Sequence, residues 1–239
     1  KIPVSEAHKS LGEMRIALVT DVHLGTIIST KRVNKIVEKI NALKPDLVLM
    51  AGDIVDEDLA PVIRQNLGGI LSNLKAPLGV IGSTGNHEYI GGADQAVDYL
   101  QSHGIIMLRD SALQITDQLW VVGREDVESM RFGGTLRKPL DSIMQQVPSE
   151  AFTIVLDHQP RAIGEAEQNG VHLILSGHTH HGQLWPLNYI TSAVFPLSYG
   201  LKKFGNTHAY VSNGVGSWGP PVRIGNRPEI VLIRFQTAN

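Results

Sequence analysis

Residues 171–182 read VHLILSGHTHHG, and this stretch decides the fold. Its first half is a short, almost unbroken apolar run, the pattern of a strand buried on both faces. Its second half turns at Gly177 and sets three histidines, His178, His180 and His181, within four positions. A turn has little structural use for three imidazoles; a metal ion does. Four more apolar runs end in the same kind of residue. Residues 14–20 (MRIALVT) lead into Asp21-Val22-His23, and residues 46–51 (DLVLMA) into Gly52-Asp53. Residues 78–83 (LGVIGS) lead to Gly85-Asn86-His87-Glu88, and residues 152–156 (FTIVL) to Asp157-His158.

Helical patterns fill the gaps. Val33, Ile36, Val37, Ile40 and Leu43 recur at helical spacing behind Ser29 or Thr30 as N-cap, and Pro45 stops the run. Residues 61–74 and 93–103 predict further helices, the second closed by Gly104. Strands alternating with helices imply a largely parallel sheet, in which ligands bind beyond the carboxyl ends of the strands. All five polar clusters fall there. After Gly182 the pattern changes to an aromatic, proline-punctuated stretch over residues 185–204, while residues 119–122, 209–212 and 229–235 read as additional strands. With no repeat, low-complexity segment or linker, one domain over residues 1–239 is expected.

Composition limits what such a site can serve. With 239 residues and 42% hydrophobic content, the chain can bury a substantial core. A net charge of −2 gives no basic track for a long nucleic acid. It is compatible with a small phosphorylated substrate, because bound cations supply positive charge locally. The absence of cysteine excludes disulfides and thiolate zinc sites. No apolar run is long enough to span a membrane. The sequence starts at Lys1 rather than Met, so an N-terminal anchor or export signal preceding it is an open expectation.

Imidazole, carboxylate and one amide oxygen together suit Mn, Fe or Zn better than Ca or Mg alone. Two such ions about 3.5–4 Å apart can share a carboxylate and a bridging hydroxide that attacks phosphorus in line. Six of the ten histidines, His23, His87, His158, His178, His180 and His181, stand at the strand ends. His8, His103, His172 and His208 read as structural. Asp56, Asp157, Glu88 and Thr179 read as supporting or turn residues. Asp-x-His and Gly-Asp are weak signals singly; their order and shared placement give them weight.

In that order, DVH, GDIVD, GNHE, DHQP and GHTH resemble the calcineurin-like metallophosphoesterase superfamily. The resemblance implies a four-layer α/β/β/α sandwich of two mixed sheets flanked by helices. It assigns one ion to Asp21, His23 and His180, a second to Asn86, His158 and His178, and makes Asp53 the bridge. His87 would be the catalytic and substrate-facing group, without a covalent enzyme intermediate. The opening segment, GNHEY, GHTHHGQLWP and VSNGVGSWGPPVRIGNRPEI resemble the YkuE-like and YaeI-like bacterial subfamily, whose members often carry a membrane segment or export signal. That likeness implies a membrane-associated or exported bacterial phosphodiesterase or pyrophosphatase, the alternative being a cytoplasmic one. It implies a small, lipid-linked or nucleotide-linked phosphate ester as substrate. His181 departs from it, since the subfamily has Gly after GHTH, and is a candidate substrate-binding residue. Residues 185–204 have two readings, a peripheral membrane contact or an ordinary packed loop. Arg223 and Arg227 either face phosphate or brace the C-terminal loop. A competing class is a catalytically silent metal-binding scaffold; such relatives lose ligands or the residue at His87, and this chain has both.

Overall fold

The computed structural model describes residues 1–237. Twelve strands form: β1 (Ile2–Val4), β2 (Arg15–Val19), β3 (Leu47–Ala51), β4 (Val80–Ser83), β5 (Ile105–Leu108), β6 (Ser111–Thr116), β7 (Leu119–Gly123), β8 (Phe152–Leu156), β9 (Leu173–Ser176), β10 (Gly200–Phe204), β11 (Thr207–Val211) and β12 (Val231–Thr237). They make two six-stranded sheets, ordered β1-β12-β2-β3-β4-β5 and β10-β11-β9-β8-β7-β6. In the first, β2 to β5 run parallel and β12 lies antiparallel to β2. In the second, β7, β8, β9 and β11 are parallel, with antiparallel partners β6 and β10 at the edges. These are the two mixed sheets that the resemblance implied, each parallel at its centre as the alternation of strands and helices predicted.

Side chains alternate across each strand, and the unbroken apolar runs bury both sets. Ile16, Leu18, Leu47 and Leu49 of one sheet meet Leu119, Ile154, Leu173 and Leu175 of the other in a core between the sheets. The alternate set, Ala17, Val19, Val48 and Met50, packs against helix Thr30–Ala42 through Val33, Ile36, Val37 and Ile40. Val122, Val155 and Ile174 pack likewise on Leu140, Ile143 and Ile163 at the opposite side. Helix, sheet, sheet, helix is the resulting four-layer order.

Two local expectations needed correction. The helix read over residues 61–74 is two short ones, Leu59–Arg64 and Leu67–Leu71, because Asn66 between them takes a left-handed φ of 49°. The aperiodic stretch beyond Gly182 contains helix Asn188–Val194 as well as β10. That helix has no buried residue, so it lacks the buried stripe from which sequence periodicity is read.

Candidate metal centre

The parallel strands of both sheets point their carboxyl ends the same way, and the loops leaving β2, β3, β4, β8 and β9 meet there. Asp21, His23 and His180 converge, as do His23, Asp53 and His87, and Asp53, His158 and His178; within each trio the donor atoms lie within 4.8 Å of one another. His178 Nδ1 and Asn86 Oδ1 are 2.8 Å apart. His23 Nε2 and His180 Nε2 face each other at 3.1 Å, and His180 Nε2 is 3.3 Å from Asp21 Oδ1. The seven residues singled out as ligands and His87 thus form one contiguous cluster.

The backbone is strained to achieve this. Asp21, His23, Asp53, His178 and His180 have φ of 53°, 52°, 50°, 69° and 44°. Left-handed conformations of non-glycine residues are sparsely populated and gather where function demands a particular side-chain direction. Gly52 shows the crowding behind them. Its φ is +78°, and a Cβ there would lie 2.5 Å from Nδ1 of His158. Only a residue without a side chain lets the β3 loop lie flat against that ring.

Electrostatics show what the cluster can hold. Burial would raise the carboxyls of Asp21 and Asp53, yet the surrounding histidines hold both below the usual range. Burial should also depress His158, but the charges of Asp53 and Asp21 drive it well above its ordinary value. Positive charge is thus favoured beside Asp53 Oδ2, which lies 3.0 Å from His158 Nε2 without a hydrogen bond between them. His158 Nδ1 donates to the Ala51 carbonyl at 2.9 Å, which fixes the tautomer and leaves Nε2 as the free donor atom. Burial pushes His178 down to about 4 and His180 to about 3, so both remain neutral imidazoles. Asp21 Oδ2 is buried without a hydrogen-bond partner among the described residues. Neutral imidazoles, buried carboxylates and an unpartnered oxygen fit divalent metal binding.

Beside the cluster, His87 Nδ1 sits 2.8 Å from Asp56 Oδ1, and Asp56 also approaches His23 Nδ1 at 3.5 Å. Burial opposes protonation of His87, but the Asp56 hydrogen bond and the charges of Asp53 and Asp56 raise it to about 9. Glu88, fully buried, accepts from the backbone N–H of Asp53, Val55 and Gly85 at 3.0, 2.8 and 2.7 Å, tying the β3 and β4 loops together. A cavity of about 430 Å³ opens over the cluster. Asp53, Asn86, His87, His178 and His180 line it together with the apolar Leu187, Ile190, Phe195 and Trp218.

His181 is not among the residues lining that cavity. Its Nδ1 lies 3.3 Å from Ser198 Oγ, and its ring is 5.3 Å from that of Tyr199. Asp157 is also elsewhere, paired with Arg137. Arg223 braces the C-terminal loop: its guanidinium donates to the carbonyls of Gly216 and Gly214 and to Asn226 Oδ1, and lies 3.0 Å from His180 Nδ1. Asn226 in turn donates to the carbonyls of His180 and His181. The role of Asn226 and the apolar lining of the cavity were not read from the sequence. Neither follows a periodicity, and the residues meet only through tertiary contacts.

Residues 14–182 match the family described as calcineurin-like phosphoesterase. A transmembrane protein with metallophosphoesterase domain from Danio rerio is 32% identical over 250 residues, covering 100% of this chain and 56% of its own. The chain thus spans little more than half of that relative. The uncharacterized metallophosphoesterase YkuE of Bacillus subtilis is 29% identical over 238 residues, covering 94% of this chain and 80% of its own. Among solved structures, a 5'-nucleotidase precursor from Thermus thermophilus shares the fold with a TM-score of 0.54 at 15% identity, over 84% of this chain and 49% of that one.

Proposed function

Because the chain belongs to the calcineurin-like phosphoesterase family, we propose that it hydrolyses a phosphodiester or phosphomonoester with two divalent ions, drawn from Mn, Fe and Zn. Asp21, His23 and His180 would hold one ion and Asn86, His158 and His178 the other, with Asp53 between them. The observation that carries this reading is the convergence of those seven side chains in one cluster, of which Asp53, Asn86, His178 and His180 line the cavity beside His87. Bound there, the ions would supply Lewis acidity toward phosphoryl oxygens and toward water.

The remaining tasks belong to the chain itself. His87 lines the cavity with Nδ1 turned to Asp56, which leaves Nε2 to hold a phosphoryl oxygen or protonate the leaving oxygen. Asp56 positions that ring. Glu88 keeps Asp53 and Gly85 in register through three backbone N–H groups. His158 is kept with Nε2 inward by the Ala51 carbonyl. The substrate is a small or lipid-linked ester rather than a long nucleic acid, consistent with the net charge of −2. Membrane association is part of the proposal, extended from the relative named as a transmembrane protein. No helix among the described residues is long and apolar enough to cross a membrane.

The test is turnover of bis-p-nitrophenyl phosphate and p-nitrophenyl phosphate by protein loaded with Mn, Fe or Zn, alongside elemental analysis. Metal-dependent hydrolysis is expected, and Asp53→Ala should lose both turnover and bound metal. An intact fold that shows no hydrolysis with any of these metals would return the chain to the class of silent scaffolds.

A further inference from the structure

Residues 168–228 contain no aspartate or glutamate, although the chain has 23 acidic residues in all. The same segment carries Lys202, Lys203 and Arg227, besides Arg223 that braces the C-terminal loop, so a chain of net charge −2 holds one long stretch whose Asp, Glu, Lys and Arg content is purely cationic. Its central helix, Asn188–Val194, has no buried residue. Tyr189, Ile190 and Val194 on it are 66%, 59% and 55% exposed, and Trp185, Trp218 and Ile224 nearby are 61%, 50% and 53% exposed. The Trp185 backbone N–H donates to the Ile224 carbonyl at 2.8 Å, and Ile190 and Trp218 line the same cavity. At the carboxyl end of the helix, the Arg161 guanidinium lies 4.9 Å over the Phe195 ring and adds another cation. Glu229, the first carboxylate after the segment, is occupied by the Asn213 backbone N–H and the Tyr210 hydroxyl.

We propose that this face, the helix Asn188–Val194 with Trp185, Trp218 and Ile224, seats on an anionic lipid surface. Exposed apolar patches are normally kept small unless something covers them. Here the exposed apolar residues are Trp, Tyr and aliphatic side chains, a composition that partitions into the headgroup boundary of a bilayer. A partner protein would be met by charges of both signs placed at particular points. A segment with cations and no carboxylate matches instead a surface of uniform negative potential. The face shares Ile190 and Trp218 with the cavity above the histidine cluster. Seating would therefore present phosphate esters of lipids to that cavity, a consequence that rests on the phosphoesterase reading, whereas the seating itself does not.

The experiment is cosedimentation of the purified protein with vesicles of equal parts phosphatidylcholine and phosphatidylglycerol, and with vesicles of phosphatidylcholine alone. Binding to the anionic vesicles is expected, with far less to the neutral ones and weakening at high salt. Tyr189→Asp and Val194→Asp, both outside the cavity lining, should each reduce binding about tenfold, because each exchanges an apolar contact for a repelled charge. Their circular dichroism spectra and thermal unfolding midpoints should equal those of the unaltered protein, which shows that they fold. Protein that stays in the supernatant, binds both vesicle types equally, or binds undiminished in the two variants overturns the proposal. So does a dimer that Val194→Asp dissociates while vesicles go unbound, since the face would then serve self-association. Vesicle binding is read without turnover, so absence of hydrolysis leaves this result standing and counts only against the phosphoesterase reading.

Discussion

Gly52→Ala separates backbone strain from the packing that fixes a metal-ligand candidate. At φ +78°, an alanine pays the left-handed penalty of about 1–2 kcal/mol. Its Cβ would also lie 2.5 Å from Nδ1 of His158, a ring that is fully buried and cannot retreat into solvent. The ring must shift, and the bond from His158 Nδ1 to the Ala51 carbonyl at 2.9 Å is then lost. A buried donor left unpaired costs about 1–3 kcal/mol. Reduced freedom of the unfolded chain returns about 0.4–1 kcal/mol, leaving a net loss of about 2–4 kcal/mol. Gly104→Ala is the control: its φ is +86°, but no atom lies within 4 Å of the added Cβ. It carries the strain and the entropy gain without the overlap, so about 1 kcal/mol is expected. Urea unfolding in chelator removes the linkage to bound metal. Gly52→Ala should exceed Gly104→Ala by about 1–3 kcal/mol, and in the metal-loaded protein it should also lower metal content. Equal losses for the two glycines, or no coupling between Gly52→Ala and His158→Ala in a double-mutant cycle, would refute the argument that the ring is what Gly52 makes room for.

Two further outcomes concern protons. With His87 held up to about 9 mainly by Asp56, activity that needs its protonated ring should fall as pH rises through that value; in Asp56→Asn the fall should move to lower pH, read from the alkaline limb of kcat. His172 is pushed down to about 4 by burial and the neighbouring His8, so the folded state binds fewer protons than the unfolded one between about 4 and 6.5. Its stabilising contribution is therefore lost as pH drops through that window, and His172→Phe, which keeps the stack on Phe152, should make the decline of Tm across it shallower. A slope unchanged in His172→Phe would mean that other groups govern acid stability.

Much of the site was legible because it is written at strand ends. Apolar runs over residues 14–20, 46–51 and 171–176 can only be strands buried on both faces, and the residues after them must then emerge at one edge. Helix Thr30–Ala42 was equally plain, since its buried residues repeat at helical spacing. Legibility failed where neighbours in space set the outcome. Asn66 breaks a helix that local periodicity would continue, and the Gly68 N–H beyond it is taken by the Tyr99 hydroxyl. His181 stands among three histidines in sequence, yet its own left-handed backbone turns it to Ser198 and Tyr199.

What the sequence by itself determined is the central strands that lead into the site, the chemistry at their ends and the identity of the candidate ligands, because side-chain type and apolar period are local properties. What only the tertiary structure decided is which donor atoms face one another and what lines the cavity beside them. Asp53 and His158 come from different sheets and meet because those sheets pack face to face. The left-handed turns at Asp21, His23, Asp53, His178 and His180 persist because the surrounding packing and hydrogen bonds offset their strain. The apolar residues of the cavity likewise meet only by tertiary contact, since Leu187, Ile190 and Phe195 belong to the helix Asn188–Val194 and its ends, and Trp218 to a distant loop.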